Sequence, residues 1–510
     1  MMHEVNELAK RIRSIIEPFD AVVAGSSAEG EVADTLVRFL EQLNGIEYRA
    51  EDIHVKTWTP IKASLSVCGA EYPAKLWPRC TDGSEVIEAR VIGLEEALAD
   101  SRSLQGYAVL APLSREAELR SLYSLLARRK PGFLVLRGDD GTRLALTEAP
   151  FTLTHFCAAS IPVVSVPERV ARSLLSCGRA KLIYQDERSR AESPLIEAWS
   201  SKGEASLLVT TSIDSLGNPQ GQVWGLAVAL GLFIQLVRNG IGARLVILPA
   251  SQLGDPAHPG YVVGYGARIY SKILGENPLG DTITLSVHIV SSNDAFGLVY
   301  PAYLGLGSGK RLESREDLLW SNAAPFMLQG FPSIVLSVAP SQDSENLQKV
   351  GDLVAMLGSL AADWRSLVDN CTSFFYAKAL EKLVPRLHSV VYKLRRIAEK
   401  SLDQGDFLSA ISACRVLIRV AYRVMSLSSG VPRLGVILFP PLGCIEEGLW
   451  DCHDVETGAR GVLGQENRDA YSIAASYLVD SLERVYEEYL CARLLREWIP
   501  IEYFLRNFPR

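Results

Sequence analysis

The sequence predicts an α/β protein: a mostly parallel-centred sheet flanked by helices, with a small inserted α/β unit and a helical C-terminal region. Three observations predict it. Apolar strands alternate with helices over 190–365, short β-type runs with helices of their own fill about 60–185, and beyond Ala362 the pattern turns almost wholly helical. Alternation of the first kind is what a parallel sheet covered on both faces produces. A chain of 510 residues is also too long for one core, so several units are expected. The divisions fall at 1–58 and 188–365 for the two parts of the main unit, 59–187 for the insert and 366–510 for the helical region.

The elements follow from local pattern. Val5, Leu8, Ile12, Ile15 and Ile16 share one helical face, and Pro18 closes that helix. Ser26-x-x-Glu29 reads as a capping box for a second helix, which turns Val32, Leu36, Phe39, Leu40 and Leu43 inward and stops at Asn44-Gly45. A short strand runs through Ile53 and Val55 toward Trp58. After Pro60 come strands at Ala63–Val67, Val86–Ile92 and Tyr107–Leu110, a helix from Glu116 to Arg129, strands at Phe133–Leu136 and Pro162–Val166, and a helix from Glu168. The main unit resumes with strands at Leu207–Thr210, Arg244–Leu248, Thr282–Val290 and Ser333–Val338, and its clearest helix spans Val223–Val237. Long helical segments then lie near 371–400, 406–427 and 466–497.

Composition narrows the function classes. Hydrophobic residues make up 48% and charged residues 22%, an ordinary globular balance. The formal net charge of -7 argues against a nucleic-acid surface, which leaves a basic footprint. The N-terminal MMHEVNELAKRIRS lacks the apolar segment of a secretory signal, and Val223–Val237 reads as a buried core helix rather than a membrane span. A cytoplasmic protein without a membrane segment is the expectation. Nine cysteines, an odd total with no CxxC pair, disfavour a zinc ribbon and a closed disulfide framework, although bridges such as Cys68–Cys80 or Cys444–Cys452 stay open.

Several segments, in order, carry a resemblance. They are Ala24-Gly-Ser-Ser-Ala-Glu-Gly-Glu-Val-Ala-Asp34, then Leu207-Leu-Val-Thr-Thr-Ser-Ile-Asp-Ser215, then Leu248-Pro-Ala-Ser-Gln-Leu-Gly254, and last Ser321-Asn-Ala-Ala-Pro-Phe326 with Gly330-Phe-Pro-Ser-Ile-Val335. Between the first two, Gly106-Tyr-Ala-Val-Leu110, Gly132-Phe-Leu-Val-Leu136 and Ile161-Pro-Val-Val-Ser-Val166 look like a protease-associated domain. The set resembles the zinc-dependent aminopeptidase family that also includes glutamate carboxypeptidase and the transferrin receptor, over about residues 20–360. The resemblance implies an aminopeptidase-like fold with an inserted protease-associated domain and a helical domain that contributes to dimers.

The same resemblance implies a two-zinc site, and here the residues depart from it. Two dications close together need imidazole and anionic oxygen ligands, and the attacking water needs a general base. Ser212 stands at the first histidine position, Ser251-Gln252 at the Glu-Glu pair, Ser286 at an aspartate and Ser341 near the last histidine, with Asp343 the nearest ionisable group. Asp214 is kept, but in the family that aspartate orients a histidine. From Ser215 to Gly254 the chain has no Asp, Glu, His or Cys, so shifting the match recovers no ligand there. No catalytic residue and no cofactor are therefore expected at the inherited site, since neutral Ser and Gln do not offset the charge of two zinc ions.

Two readings of the remaining pocket candidates stay open. Asp214, Asp255, His258 and His288 could build a relocated zinc site; alternatively His258 is a loop residue and His288 a hydrogen-bonded core or pocket histidine on the strand face of Ser286. The chain has no Gly-x-Ser-x-Gly elbow, and Gly305-Leu-Gly-Ser-Gly-Lys310 lacks the spacing of a phosphate loop. The expected function is a non-catalytic binding or scaffold protein with a protein or peptide partner and a homodimer through the helical domain. The stripe Tyr471, Ala474, Leu478, Leu482, Tyr486, Tyr489 and Leu495 fits either that interface or an internal core. The alternative is a metallopeptidase with a rearranged site.

Overall fold

The computed structural model describes residues 2–19, 21–79, 83–99, 103–113, 129–138, 161–200, 207–217, 219–254, 264–276, 285–291, 297–299, 322–338, 345–382 and 385–406, with single positions between 119 and 127 and between 410 and 418. Within them the strands are β1 (Ile46–Val67), β2 (Ala70–Pro73), β3 (Lys75–Leu76), β4 (Gly83–Gly93), β5 (Tyr107–Pro112), β6 (Phe133–Arg137), β7 (Val163–Val166), β8 (Arg179–Ser200), β9 (Leu207–Ser212), β10 (Ala243–Leu248), β11 (Leu285–Ser291), β12 (Gly297–Val299) and β13 (Ser333–Val338). The helices are α1 (Met2–Ile16), α2 (Ser27–Glu41), α3 (Leu94–Ala99), α4 (Glu168–Cys177), α5 (Pro219–Arg238), α6 (Tyr265–Glu276), α7 (Ala323–Leu328), α8 (Glu345–Ala362), α9 (Trp364–Lys382) and α10 (Pro385–Asp403).

The fold is mixed α/β, with one large sheet flanked by helices. Its order is β12-β13-β11-β9-β10-β8-β4-β5-β6-β7-β3. Two parallel blocks stand out: β10, β9, β11 and β13 in one half, and β4, β5, β6 and β7 in the other. The long strand β8 joins them. One of its edges pairs antiparallel with β1 from Lys181 to Ser200, while the other is shared between β4 (Arg179–Asp186) and β10 (Ile196–Trp199). Residues 187–195 of β8 therefore face a notch between the halves.

Both halves are packed on two faces. Around β9, β10 and β11 one face carries Val209, Leu245 and Val287 against α1, α2, α5 and α8; the other carries Leu208, Val246 and Leu248 against Tyr270 of α6 and Phe326 of α7. The segment Gly221–Arg238 is the one stretch among the described residues long and apolar enough to cross a membrane, and 83% of it is buried inside the fold. Its residues Leu230, Phe233 and Leu236 are central to the first core, which is why α5 is apolar almost all round.

Some local expectations change. The sequence divides 46–67 at Pro60, but β1 runs through it, and the divisions at 58/59 and 187/188 both fall inside the β1–β8 pair. A register shift between Pro60 and Lys62 accommodates the proline, which has no N–H for the ladder. The run 371–400 comprises parts of two helices, with Pro385 opening α10 where a missing N–H costs nothing. Cys68 pairs with Cys177 rather than with Cys80, which lies outside the described residues. Their Cα atoms are 5.8 Å apart because β8 returns alongside β1 just after α4 ends.

Candidate functional site

Of the residues singled out in the sequence, Ser212, Asp214, Ser251 and Gln252 lie at the C-terminal ends of β9 and β10, beside the notch. A turn at Val22–Ser26 reaches this place, with Val22 and Ser215 exchanging two backbone hydrogen bonds of 2.8 Å each. Gly25 lies there at φ +77°, and a side-chain carbon on it would meet Ala191 Cβ at 2.5 Å. Gly254, at φ +131°, accepts a hydrogen bond from Lys56 N at 2.9 Å, and a Cβ on it would meet that of Ala250 at 2.7 Å. Backbone approach this close is available only to glycine.

Asp214 and Gln252 are brought together. Gln252 N donates to Asp214 Oδ2 at 3.0 Å, while Gln252 Oε1 accepts from Leu216 N at 3.2 Å. Asp214 is buried, and burial raises its pKa to about 6 against the opposing pull of the Ser251 and Gln252 N–H groups. Leu216 and Leu253 on either side pack into the core of the β4–β7 half with Trp58 and Tyr184. Ser251 Oγ accepts from Asn322 Nδ2 at 3.1 Å, tying this loop to the start of α7.

Glu29 completes the cluster, and the sequence reading passed over it as a capping residue. Half of the capping box forms, with Glu29 N donating to Ser26 Oγ at 3.3 Å. The carboxylate turns inward instead of back to Ser26: Oε2 accepts from Gly25 N and from Ser193 Oγ, each at 2.6 Å. Burial first, and the nearby Asp214 charge second, raise its pKa to about 8. At neutral pH Glu29 holds a proton and Asp214 carries the charge, so the two buried acids share one negative charge. Glu29 Oε1 and Asp214 Oδ1 are buried without a hydrogen-bond partner among the described residues. The signal that could have found Glu29 is the short Gly25-to-Glu29 spacing, which lets the side chain close on the turn that precedes its own helix.

A second polar group lies on the sheet itself. Thr210 on β9, Ser286 and His288 on β11 and Ser333 on β13 form a seam on the face covered by α7. His288 Nδ1 is 2.6 Å from Thr210 Oγ1, His288 Nε2 is 3.0 Å from Ser286 Oγ, and Ser286 Oγ is 2.7 Å from Ser333 Oγ. Ser286 also donates to Pro332 O at 3.1 Å, which leaves its oxygen to accept from His288 Nε2–H and leaves Nδ1 to accept from Thr210. Phe326 caps the imidazole with ring centroids 4.7 Å apart, and burial lowers its pKa to about 3. Ser212 is engaged separately: Gln222 Nε2 donates to its carbonyl at 2.5 Å and to its hydroxyl at 3.2 Å. Asp255, His258, Ser341 and Asp343 lie outside the described residues.

The described residues do not suit a zinc ion. The donors at the strand ends are neutral hydroxyls and amides held by the fold, and the imidazole is hydrogen-bonded at both nitrogens. No group of three His, Cys, Asp or Glu side chains lies within metal-binding distance among the described residues.

No family model matches the chain, and no curated protein matches it. Solved structures are similar to it in shape. An aminopeptidase from Aneurinibacillus sp. strain AM-1 aligns with 71% of this chain and 96% of its own, at 15% identity and a TM-score of 0.42. A zinc aminopeptidase from Bacillus subtilis aligns with 69% of this chain and 93% of its own, at 14% identity and 0.46. A peptidase M28 precursor from Shewanella amazonensis gives 69%, 85%, 13% and 0.42 in the same order. Likenesses this remote bear on neither the ligands nor the activity of the present chain.

Proposed function

We propose that this chain is a non-catalytic binding or scaffold protein on a peptidase-like frame, one that keeps the architecture without the zinc chemistry. The observation that carries this reading is the internal use of every described polar side chain at the inherited ligand positions. Ser212 is held by Gln222, Gln252 by Asp214 and Leu216, and Ser286 by His288, Ser333 and Pro332. A hydrolytic site needs donors presented to substrate and a base within reach of the attacking water. Here Ser212, Asp214 and Ser286 are buried, Gln252 is half-buried, and all four are hydrogen-bonded within the fold.

On this reading the partner is a protein or peptide, and the helical region beyond residue 366 supplies a homodimer contact. The stripe from Tyr471 to Leu495 that would form the contact lies outside the described residues. The experiment is elemental analysis of the purified full chain beside a panel of aminopeptidase and carboxypeptidase substrates. Metal-free protein without turnover is expected. Stoichiometric zinc, or turnover abolished by His258→Ala, overturns the reading in favour of a rearranged metallopeptidase site.

A further inference from the structure

A cleft of about 470 Å3 opens on the β4–β7 half, well apart from the notch. Its floor is the exposed face of three neighbouring strands, β1, β8 and β4. On one rung Lys181 of β8 stands between Ser66 of β1 and Glu88 of β4, and Lys181 Nζ lies 3.5 Å from Glu88 Oε1. On the next rung Arg90 of β4 and Arg179 of β8 are direct cross-strand neighbours. Like charges placed opposite each other on adjacent strands destabilise a sheet.

Nothing in the described fold offsets that placement. Arg90 and Arg179 are both exposed, both line the cleft, and neither guanidinium has a hydrogen-bond or ion-pair partner among the described residues. The one carboxylate in the cleft, Glu88, is engaged by Lys181. Three cations against one anion leave a local excess of positive charge in a chain whose formal net charge is -7. The walls are constrained by the Cys68–Cys177 bridge, and at Gly69 and Gly106 a Cβ would meet nothing within 4 Å, so the space beside the arginines is open.

We propose that this cleft binds a small oxyanion-bearing ligand, whose phosphate or carboxylate group sits between Arg90 and Arg179. A guanidinium offers parallel N–H donors that match two oxygens of such a group, and two guanidiniums facing one anion turn a cross-strand repulsion into a clamp. The volume falls in the range of small-molecule pockets, and the excess of cationic side chains along its floor suits an anion. This site stands independently of the reading given for the notch.

The test is calorimetric titration of the full chain, in low-salt buffer free of other oxyanions, with inorganic phosphate in one arm and glutarate in the other. Saturable one-site binding is expected in at least one arm at millimolar levels or below, weakening as salt is raised to about 0.5 M. Binding of phosphate alone assigns a phosphate ligand, of glutarate alone a carboxylate, and of both an oxyanion site without further selection. Arg90→Gln and Arg179→Gln should each weaken binding by about tenfold or more. Because both residues are exposed and each substitution removes the cross-strand repulsion, each variant should match or slightly exceed the wild-type melting temperature without ligand. Arg179→Glu should abolish binding while raising that melting temperature slightly, because it replaces a repulsion with a cross-strand pair. No heat in either arm up to about 20 mM, or binding undiminished in both glutamine variants, overturns the proposal.

Discussion

The notch beside β8 and the cleft over β4 treat charge in opposite ways. At the notch two carboxyls are buried, each with one oxygen held by groups of the neighbouring loops and strand and the other without a hydrogen-bond partner among the described residues. In the cleft two exposed arginines stand opposite each other on adjacent strands, and neither guanidinium has a hydrogen-bond or ion-pair partner among the described residues. A buried group enclosed by the fold's own loops is withdrawn from solvent, whereas an exposed charge held beside its like is placed for something that arrives from outside. The place where the sequence resembles an enzyme is thus the place where its polar groups are least available.

The largest expected effect concerns what holds the β4–β7 half, which carries the cleft, together. The Cys68–Cys177 bridge closes a loop spanning 109 residues, and chain-entropy reasoning puts the loss from Cys68→Ser at about 4–5 kcal/mol. Equilibrium denaturation of oxidised wild type against the variant measures it. A loss under about 1 kcal/mol would show that β1–β8 pairing alone fixes this half.

Next is the turn at the notch. Gly25→Ala forces a side chain into a left-handed conformation 2.5 Å from Ala191 Cβ, and about 2–4 kcal/mol of stability should be lost. The same substitution at Gly69, also left-handed but open, should cost only the conformational part, about 1 kcal/mol. Equal losses at the two positions would mean that close packing at the notch contributes nothing.

A third effect separates the buried acids from ordinary ones. The pKa of Glu29 is raised from 4.5 to about 8 in the folded chain, so the folded state binds its proton more tightly than the unfolded state does. Stability should therefore fall as pH rises from about 5 to about 8 and level off above that, and Asp214 adds the same sign up to about pH 6. Glu29→Gln imitates the protonated acid. It should flatten this slope and be more stable than wild type at pH 9, by roughly a few kcal/mol. A variant that keeps the wild-type slope in pH-dependent melting would place the titration elsewhere. The smallest stability effect is the slight rise expected for Arg179→Glu in the cleft.

Much of the architecture was legible because it rests on pattern. The α/β alternation, the apolar length of α5 and the strands β5, β6, β7, β9, β10 and β13 follow from runs of buried residues bounded by turn residues. The unbroken β1 was not legible, since a proline reads as a boundary and only long-range pairing with β8 shows that a bulge absorbs it. The Cys68–Cys177 pairing was hidden for a similar reason, as sequence distance favours the near cysteine and topology the distant one.

The site was legible in part. Asp214, Gln252 and Ser286 could be named from the resemblance of their segments to a known family, and His288 from its place two residues after Ser286 on the same strand face. Glu29 could not, because a helix-capping glutamate looks the same in sequence whether it faces its own N-terminus or a buried acid on another element. Nor could Asn322, whose link to Ser251 needs α7 folded over the loop.

On the proposed reading, the site at the ends of β9 and β10 holds loops and does not hold zinc. The most direct test of that reading is calorimetric melting of the full chain with zinc added in excess, with Asp214→Asn and His258→Ala as controls. No more than a degree or so of shift, the same in all three proteins, is the predicted result. A rise of several degrees in the wild type that disappears in either variant would contradict it.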